Sequence, residues 1–123
     1  MRRREAFLIL SHHNILGGFF MVLSFPNVEF LKFPDVDEVD AGILEKNLEH
    51  FSRKVVLGGE TKLHLAHKEY AKGGLRVQHE IHAKLIMGSK QFFAKETDWK
   101  LLEVVQNVLK KLEKEVLRAH EKE

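Results

Sequence analysis

Between Glu60 and Trp99, apolar and polar residues alternate with a period of two, and Gly73-Gly74 and Gly88-Ser89 break the run. Side chains on a strand point alternately to the two faces of a sheet, so this pattern predicts three consecutive half-buried strands feeding a long helix. The strands are expected at Thr61–Tyr70, Leu75–Met87 and Lys90–Lys95. Leu63 and Leu65 then share the covered face with Leu75, Val77, Ile81, Ala83 and Leu85. Lys62, His64 and Lys68 share the open face with Arg76, Gln78, Glu80, His82 and Lys84. Phe92 and Phe93 supply one aromatic ring to each face.

The faces constrain the turn. A two-residue Gly73-Gly74 loop pairs Lys72 with Leu75 and throws the two apolar sets onto opposite faces, the consequence of a one-residue slip. An odd-length loop such as Lys72-Gly73-Gly74, with a glycine bulge, keeps them together. That register sets His64 opposite His82 on the open face and His67 opposite His79 on the covered face. It also sets Lys62 opposite Lys84, an unfavourable like-charge pair that a shift of two residues relieves.

Upstream, Val28–Phe33 (VEFLKF) reads as a short strand between Pro26 and Pro34, near a sheet edge. Asp35, Asp37 and Asp40 are candidate N-caps for a helix with an apolar stripe of Ile43, Leu44, Leu48, Phe51 and Val55, ended by Gly58-Gly59. At the far end Thr97 or Asp98 is expected to cap a helix from Trp99 to about His120. Its stripe is Leu101, Val105, Val108, Leu112 and Val116, and Lys110, Lys114 and Arg118 lie on the opposite side. The order is β-α-β-β-β-α. It predicts a two-layer α+β domain: a four-stranded mixed sheet, two helices on one face, and the other face open. The first two strands are joined through a helix, so they can be parallel.

A chain of 123 residues with 44% apolar content holds one modest core. No apolar run approaches 18 residues, which excludes a helical membrane span, and no Cys is present, which excludes disulfides and thiolate metal sites. A reducing cytoplasm is the simplest expected compartment. Formal charge is only +2, but unevenly placed. Residues 21–53 hold 3 basic and 7 acidic side chains; residues 54–90 hold 7 basic and 3 acidic, with four His besides. Such a balance disfavours an indiscriminate polyanion binder and favours a directed cationic footprint in the central strands.

Residues 1–20 are expected to be a leader or arm, with residues 21–123 as the single domain. Arg2–Arg4 and Phe7–Leu10 resemble a signal peptide, but the apolar run is short and no small-residue cleavage site follows. If Gly17 to Met21 is encoded GGA GGT TTY TTY ATG, a purine-rich ribosome-binding sequence stands before an ATG, and Met21 is the native start. His12 and His13 then carry no function. An N-terminal peptide beginning at Met1, found by mass spectrometry of the natural protein, would refute this.

The chemistry-bearing residues point to binding rather than catalysis. Ser11, Ser24, Ser52 and Ser89 lack a nucleophile-elbow context, and no glycine pair forms a phosphate loop. Each His-x-x-His segment (64/67 and 79/82) splits its members between two strand faces and no carboxylate clearly converges, so neither metal nor cofactor is expected. His67 and His79 read as core or rim residues. Lys62, His64, Lys68, Arg76, His82 and Lys84 form the outward set, Tyr70 offers a stacking ring, and Lys110, Lys114 and Arg118 extend the cationic surface along the last helix. Cations track phosphates and aromatic rings stack on exposed bases, so these ten are the candidate RNA contacts.

The element order, the Lys/His-rich strand, and the run HEIHAKL followed by FFAKETDWKLLEVVQNVLKKLEKEV resemble the ribosome hibernation-promoting factor family, the S30EA-type ribosome-associated inhibitors. Asp98-Trp99 and Leu112-Glu113-Lys114 stand where that family opens its final helix and carries its Leu-Glu-Lys/Arg segment. The resemblance spans about Val28 to Arg118. It implies a non-enzymatic stress factor of the short form, a monomer or weak homodimer, that docks on small-subunit rRNA at the decoding region and blocks the mRNA and tRNA path. Neither a membrane nor a small-molecule substrate is expected as a partner. Three features depart from the family: an acidic first helix, the glycine loop, and no following dimerisation domain. The alternatives are a double-stranded-RNA-type module, which ordinarily begins with a helix, and a protein-interaction or homodimer domain.

Overall fold

A computed structural model describes residues 7–14, 18–74 and 76–121, with side chains described from Leu23 onward. The order is β1 (Phe7–Asn14), β2 (Gly18–Ser24), β3 (Val28–Leu31), α1 (Glu38–Lys54), β4 (Thr61–Ala71), β5 (Val77–Met87), β6 (Lys90–Asp98) and α2 (Leu101–Glu121). From β3 onward this is the expected β-α-β-β-β-α domain. Its mixed sheet runs β3-β4-β5-β6, with β3 parallel to β4 and the other pairs antiparallel.

β1 and β2 add a separate two-stranded antiparallel ladder, from Phe7 opposite Ser24 to Asn14 opposite Gly18. The leader reading placed no element there. Only the backbone is described around His12 and His13, and Arg2–Arg4 lie outside the described residues.

Asp37 starts α1: its carboxylate accepts the Asp40 N–H at 2.8 Å, and Glu38 and Asp40 add acidic charge at the positive end of the helix dipole. The helix stops at Lys54 rather than at Gly58-Gly59, which instead form the turn into β4 through reciprocal hydrogen bonds between Gly58 and Thr61. Ala41, Leu44, Leu48 and Phe51 are buried, but Ile43 is 42% exposed, one position off the buried stripe. α2 begins at Leu101, two residues later than expected, because β6 runs on to Asp98. The Asp98 carboxylate accepts the Trp99 N–H at 2.6 Å and the Lys100 N–H at 3.3 Å, both ahead of the helix, so it orders the β6–α2 turn and does not cap the first helical turn as expected.

The core lies between the sheet and both helices. Leu63, Leu65, Ile81, Ala83 and Leu85 of the covered face meet Leu44, Leu48 and Phe51 of α1 and Val104, Val105, Val108 and Leu112 of α2. Each fully buried large side chain contributes about 1.5–3 kcal/mol of transfer free energy. Among the described residues no helix is long and apolar enough to cross a membrane.

The expected faces hold, but the β4–β5 register is shifted by two residues. His64 pairs with Lys84, Ala66 with His82, and Lys62 with Ile86. The His64–His82, His67–His79 and Lys62–Lys84 pairings are therefore incorrect. The physical reason is the loop. Ala71 pairs with Val77, leaving five intervening residues, and the Lys72 N–H donates to the Arg76 carbonyl at 3.1 Å. Five is odd, so the faces are preserved, and the two lysines are kept apart. Leu75, expected to point inward, lies outside the described residues.

Candidate nucleic-acid interface

The open sheet face is ordered in cross-strand rows. One row runs Glu29, His64, Lys84, Phe93; the next runs Leu31, Ala66, His82, Lys95; a third sets Lys68 opposite Glu80 and Thr97. Lys62 and Tyr70 stand at the two ends of β4 on the same face. Lys62, Lys68, His82 and Lys95 are exposed, His64 and Lys84 half-buried. Phe93 is 64% exposed, and its ladder partner is Lys84. A flat apolar ring next to an ammonium group is the pairing that accepts a stacked base and its phosphate.

Lys95 was missed in the sequence because the fourth strand was ended there. Pairing with His82 places it in the middle of the face. Beyond it the surface turns over the exposed β6 edge onto α2. A groove there is lined by Phe93, Lys95, Lys111, Lys114, Glu115 and Arg118, so two of the three helical candidates join the sheet face. Lys110 is exposed one turn before Lys114 on the same stripe. Lys111, not foreseen, is tied down: its Nζ donates to the Lys95 carbonyl at 3.2 Å and pairs with Glu96 at 2.6 Å. Arg118 pairs with Glu115 at 3.0 Å.

Carboxylates temper the face. Glu29 lies 3.3 Å from His64 Nδ1. Glu80, central and mostly buried, accepts the Tyr70 hydroxyl at 2.8 Å and lies 3.1 Å from His82 Nε2 and 3.9 Å from Lys95 Nζ. The Tyr70 hydroxyl, ahead of the other contacts, holds the Glu80 carboxyl below its ordinary range, and the same bond raises the Tyr70 phenol. Arg76 is also engaged: its guanidinium carbon lies 4.1 Å from the Trp99 ring centroid, a cation–π stack at the sheet end. Arg76, an expected RNA contact, is therefore already engaged within the chain.

On the covered face, the apolar series Leu63, Leu65 continues into His67 and then Glu69 at the rim. His67 Nε2 lies 2.9 Å from His79 Nδ1, and His67 Nδ1 lies 3.3 Å from the Lys32 carbonyl. The two rings meet on a diagonal, since the direct partners are Ile81 for His67 and Glu69 for His79. Burial, the largest influence, and neighbouring His79 lower the His67 pKa, against the Lys32 carbonyl and Glu69.

No protein-family model matches the chain. No curated protein matches it either. Among solved structures, the N-terminal domain of Thermus thermophilus Protein Y is similar, with a TM-score of 0.49 and 14% identity, over 76% of this chain and 96% of that one.

Proposed function

We propose that the chain is a non-enzymatic, cytoplasmic RNA-binding protein that docks on small-subunit rRNA near the decoding region and blocks the mRNA and tRNA path under stress. One observation carries the RNA part: a cationic open sheet face with an exposed aromatic ring, Phe93 beside Lys84, continuing over the β6 edge to Lys114 and Arg118. The resemblance of Asp98-Trp99 and Leu112-Glu113-Lys114 to S30EA-type proteins supports the ribosome as the source of the RNA. The strand β3 ahead of α1, paired in parallel with β4, disfavours the double-stranded-RNA-type module.

Co-sedimentation with purified small subunits across a salt series tests the reading. Binding at low salt that weakens steeply as salt rises is expected, because phosphate contacts release counterions. Absence of binding at low salt removes the proposal. Self-association through Phe93 in its place supports the homodimer reading.

A further inference from the structure

We infer that His67, Glu69 and His79 form a binding site for a divalent metal ion of the zinc class at the β4–β5 end of the covered face. One ligand atom from each residue lies within 4.8 Å of the other two. Two imidazole nitrogens and one carboxylate oxygen suit a borderline cation such as Zn²⁺, which commonly takes three protein ligands and leaves a fourth position for water. Bonds of about 2.0–2.1 Å in a tetrahedral arrangement set ligand atoms roughly 3.3 Å apart. The His67–His79 nitrogen pair, at 2.9 Å, needs to open by only a few tenths of an ångström.

The surroundings are built for this geometry. His67 is 4% exposed, so its ring is held by packing, and the Phe33 ring lies 5.5 Å away, centroid to centroid. A carbonyl can only accept, so the contact with Lys32 places the His67 proton on Nδ1 and leaves the Nε2 lone pair directed at His79 and the rim. A backbone carbonyl fixing one imidazole nitrogen while the other ligates is the usual outer-shell arrangement. Lys32 holds the left-handed φ of 61°, unusual for a residue with a Cβ, while its carbonyl makes this contact. Metal entry requires the His79 proton to move from Nδ1 to Nε2, after which both facing nitrogens offer lone pairs.

The β4 side opens on a cleft of 510 Å³ lined by Lys32, Pro34, His67, Lys68, Glu69 and Tyr70, which gives an ion a route. Lys32 and Lys68 oppose a cation there, so binding is expected to be weaker than in a closed structural zinc site. A simple hydrogen-bonded imidazole pair accounts for His67 and His79 but gives no role to the convergent Glu69. In sequence the site is hidden because Glu69 faces His79 directly and His67 meets it diagonally only in a hairpin register that depends on its loop.

The test titrates Zn²⁺ by calorimetry into the chelator-treated full chain, in a His12→Ala/His13→Ala background that removes an adjacent histidine pair. One ion per chain is expected, with a rise of a few degrees in the unfolding midpoint at saturating metal. His79→Ala and Glu69→Gln, both at the rim, should each weaken binding at least tenfold while circular dichroism stays unchanged. His50→Ala on α1 should leave binding intact. No saturable one-to-one uptake, or uptake that His79→Ala and Glu69→Gln leave unchanged, overturns the assignment.

Discussion

Tyr70 donates its hydroxyl to Glu80 across the β4–β5 ladder at 2.8 Å, fixing a carboxylate in the centre of a mainly cationic face. The bond orients the tyrosine ring and leaves Glu80 facing His82 and Lys95. A phosphate approaching Lys95 or Lys68 must therefore pass a negative charge. At about 4 Å in water this repulsion amounts to about 1 kcal/mol. Glu80→Gln is predicted to tighten binding of a short single-stranded RNA about fivefold at low salt, by fluorescence anisotropy. Unchanged affinity would mean that RNA does not lie across this part of the face.

The same two strands set an acid response. The His67 pKa is lowered on folding from 6.5, chiefly by burial, so the unfolded chain takes up a proton there first. Its contribution to stability is complete above pH 6.5 and is lost as pH falls below that value, with a slope of at most about 1.4 kcal/mol per pH unit. Glu80 is lowered from 4.5, chiefly by Tyr70, so its contribution is present above 4.5 and is lost in a second step as pH falls further. Denaturant unfolding followed from pH 7 down to about pH 2, with chelator present, should show both steps. His67→Gln should remove the first, and Tyr70→Phe should blunt the second.

The α1 stripe separates two residues that look alike in sequence. Leu48 is buried against the sheet, whereas Ile43 is exposed. Leu48→Ala is predicted to cost about 2–5 kcal/mol and Ile43→Ala about 0.5 kcal/mol or less, by urea unfolding. Equal costs would contradict the helix orientation.

Arg76 stacks on Trp99, the only tryptophan in the chain, so fluorescence reports directly on that contact. Arg76→Ala should change Trp99 emission, cost about 0.5–1 kcal/mol, and lower RNA affinity less than Lys84→Ala does. The reverse order of affinities would make Arg76 a primary contact.

How much of this was legible in sequence depended on what each residue could signal. The alternation of Leu63, Leu65, Ile81, Ala83 and Leu85 marked the covered face because burial demands it. It fixed the parity of the Lys72–Arg76 loop but not its length, and both three and five residues keep the faces aligned. The clash of Lys62 with Lys84 was the one cue toward the longer loop. Glu96–Asp98 looked like a linker because an exposed edge strand needs few apolar residues, which left Lys95 at a strand end and not in the middle of the face. Glu69 gave no signal in sequence because its nearness to His67 and His79 exists only in the paired register. The Phe7–Ser24 hairpin was passed over because its apolar run matched a leader pattern.

In the proposed function, the open face of the sheet neutralises RNA phosphates through Lys62, Lys84 and Lys95. The direct measurement is the salt dependence of small-subunit affinity for the native chain and for Lys62→Gln/Lys84→Gln/Lys95→Gln. Each phosphate contact removed should lower the slope of log affinity against log salt by about 0.7 for single-stranded RNA, so the triple variant should lose about 2 from it. A triple variant that binds small subunits with the native affinity and slope would place the RNA elsewhere on the molecule and contradict the account.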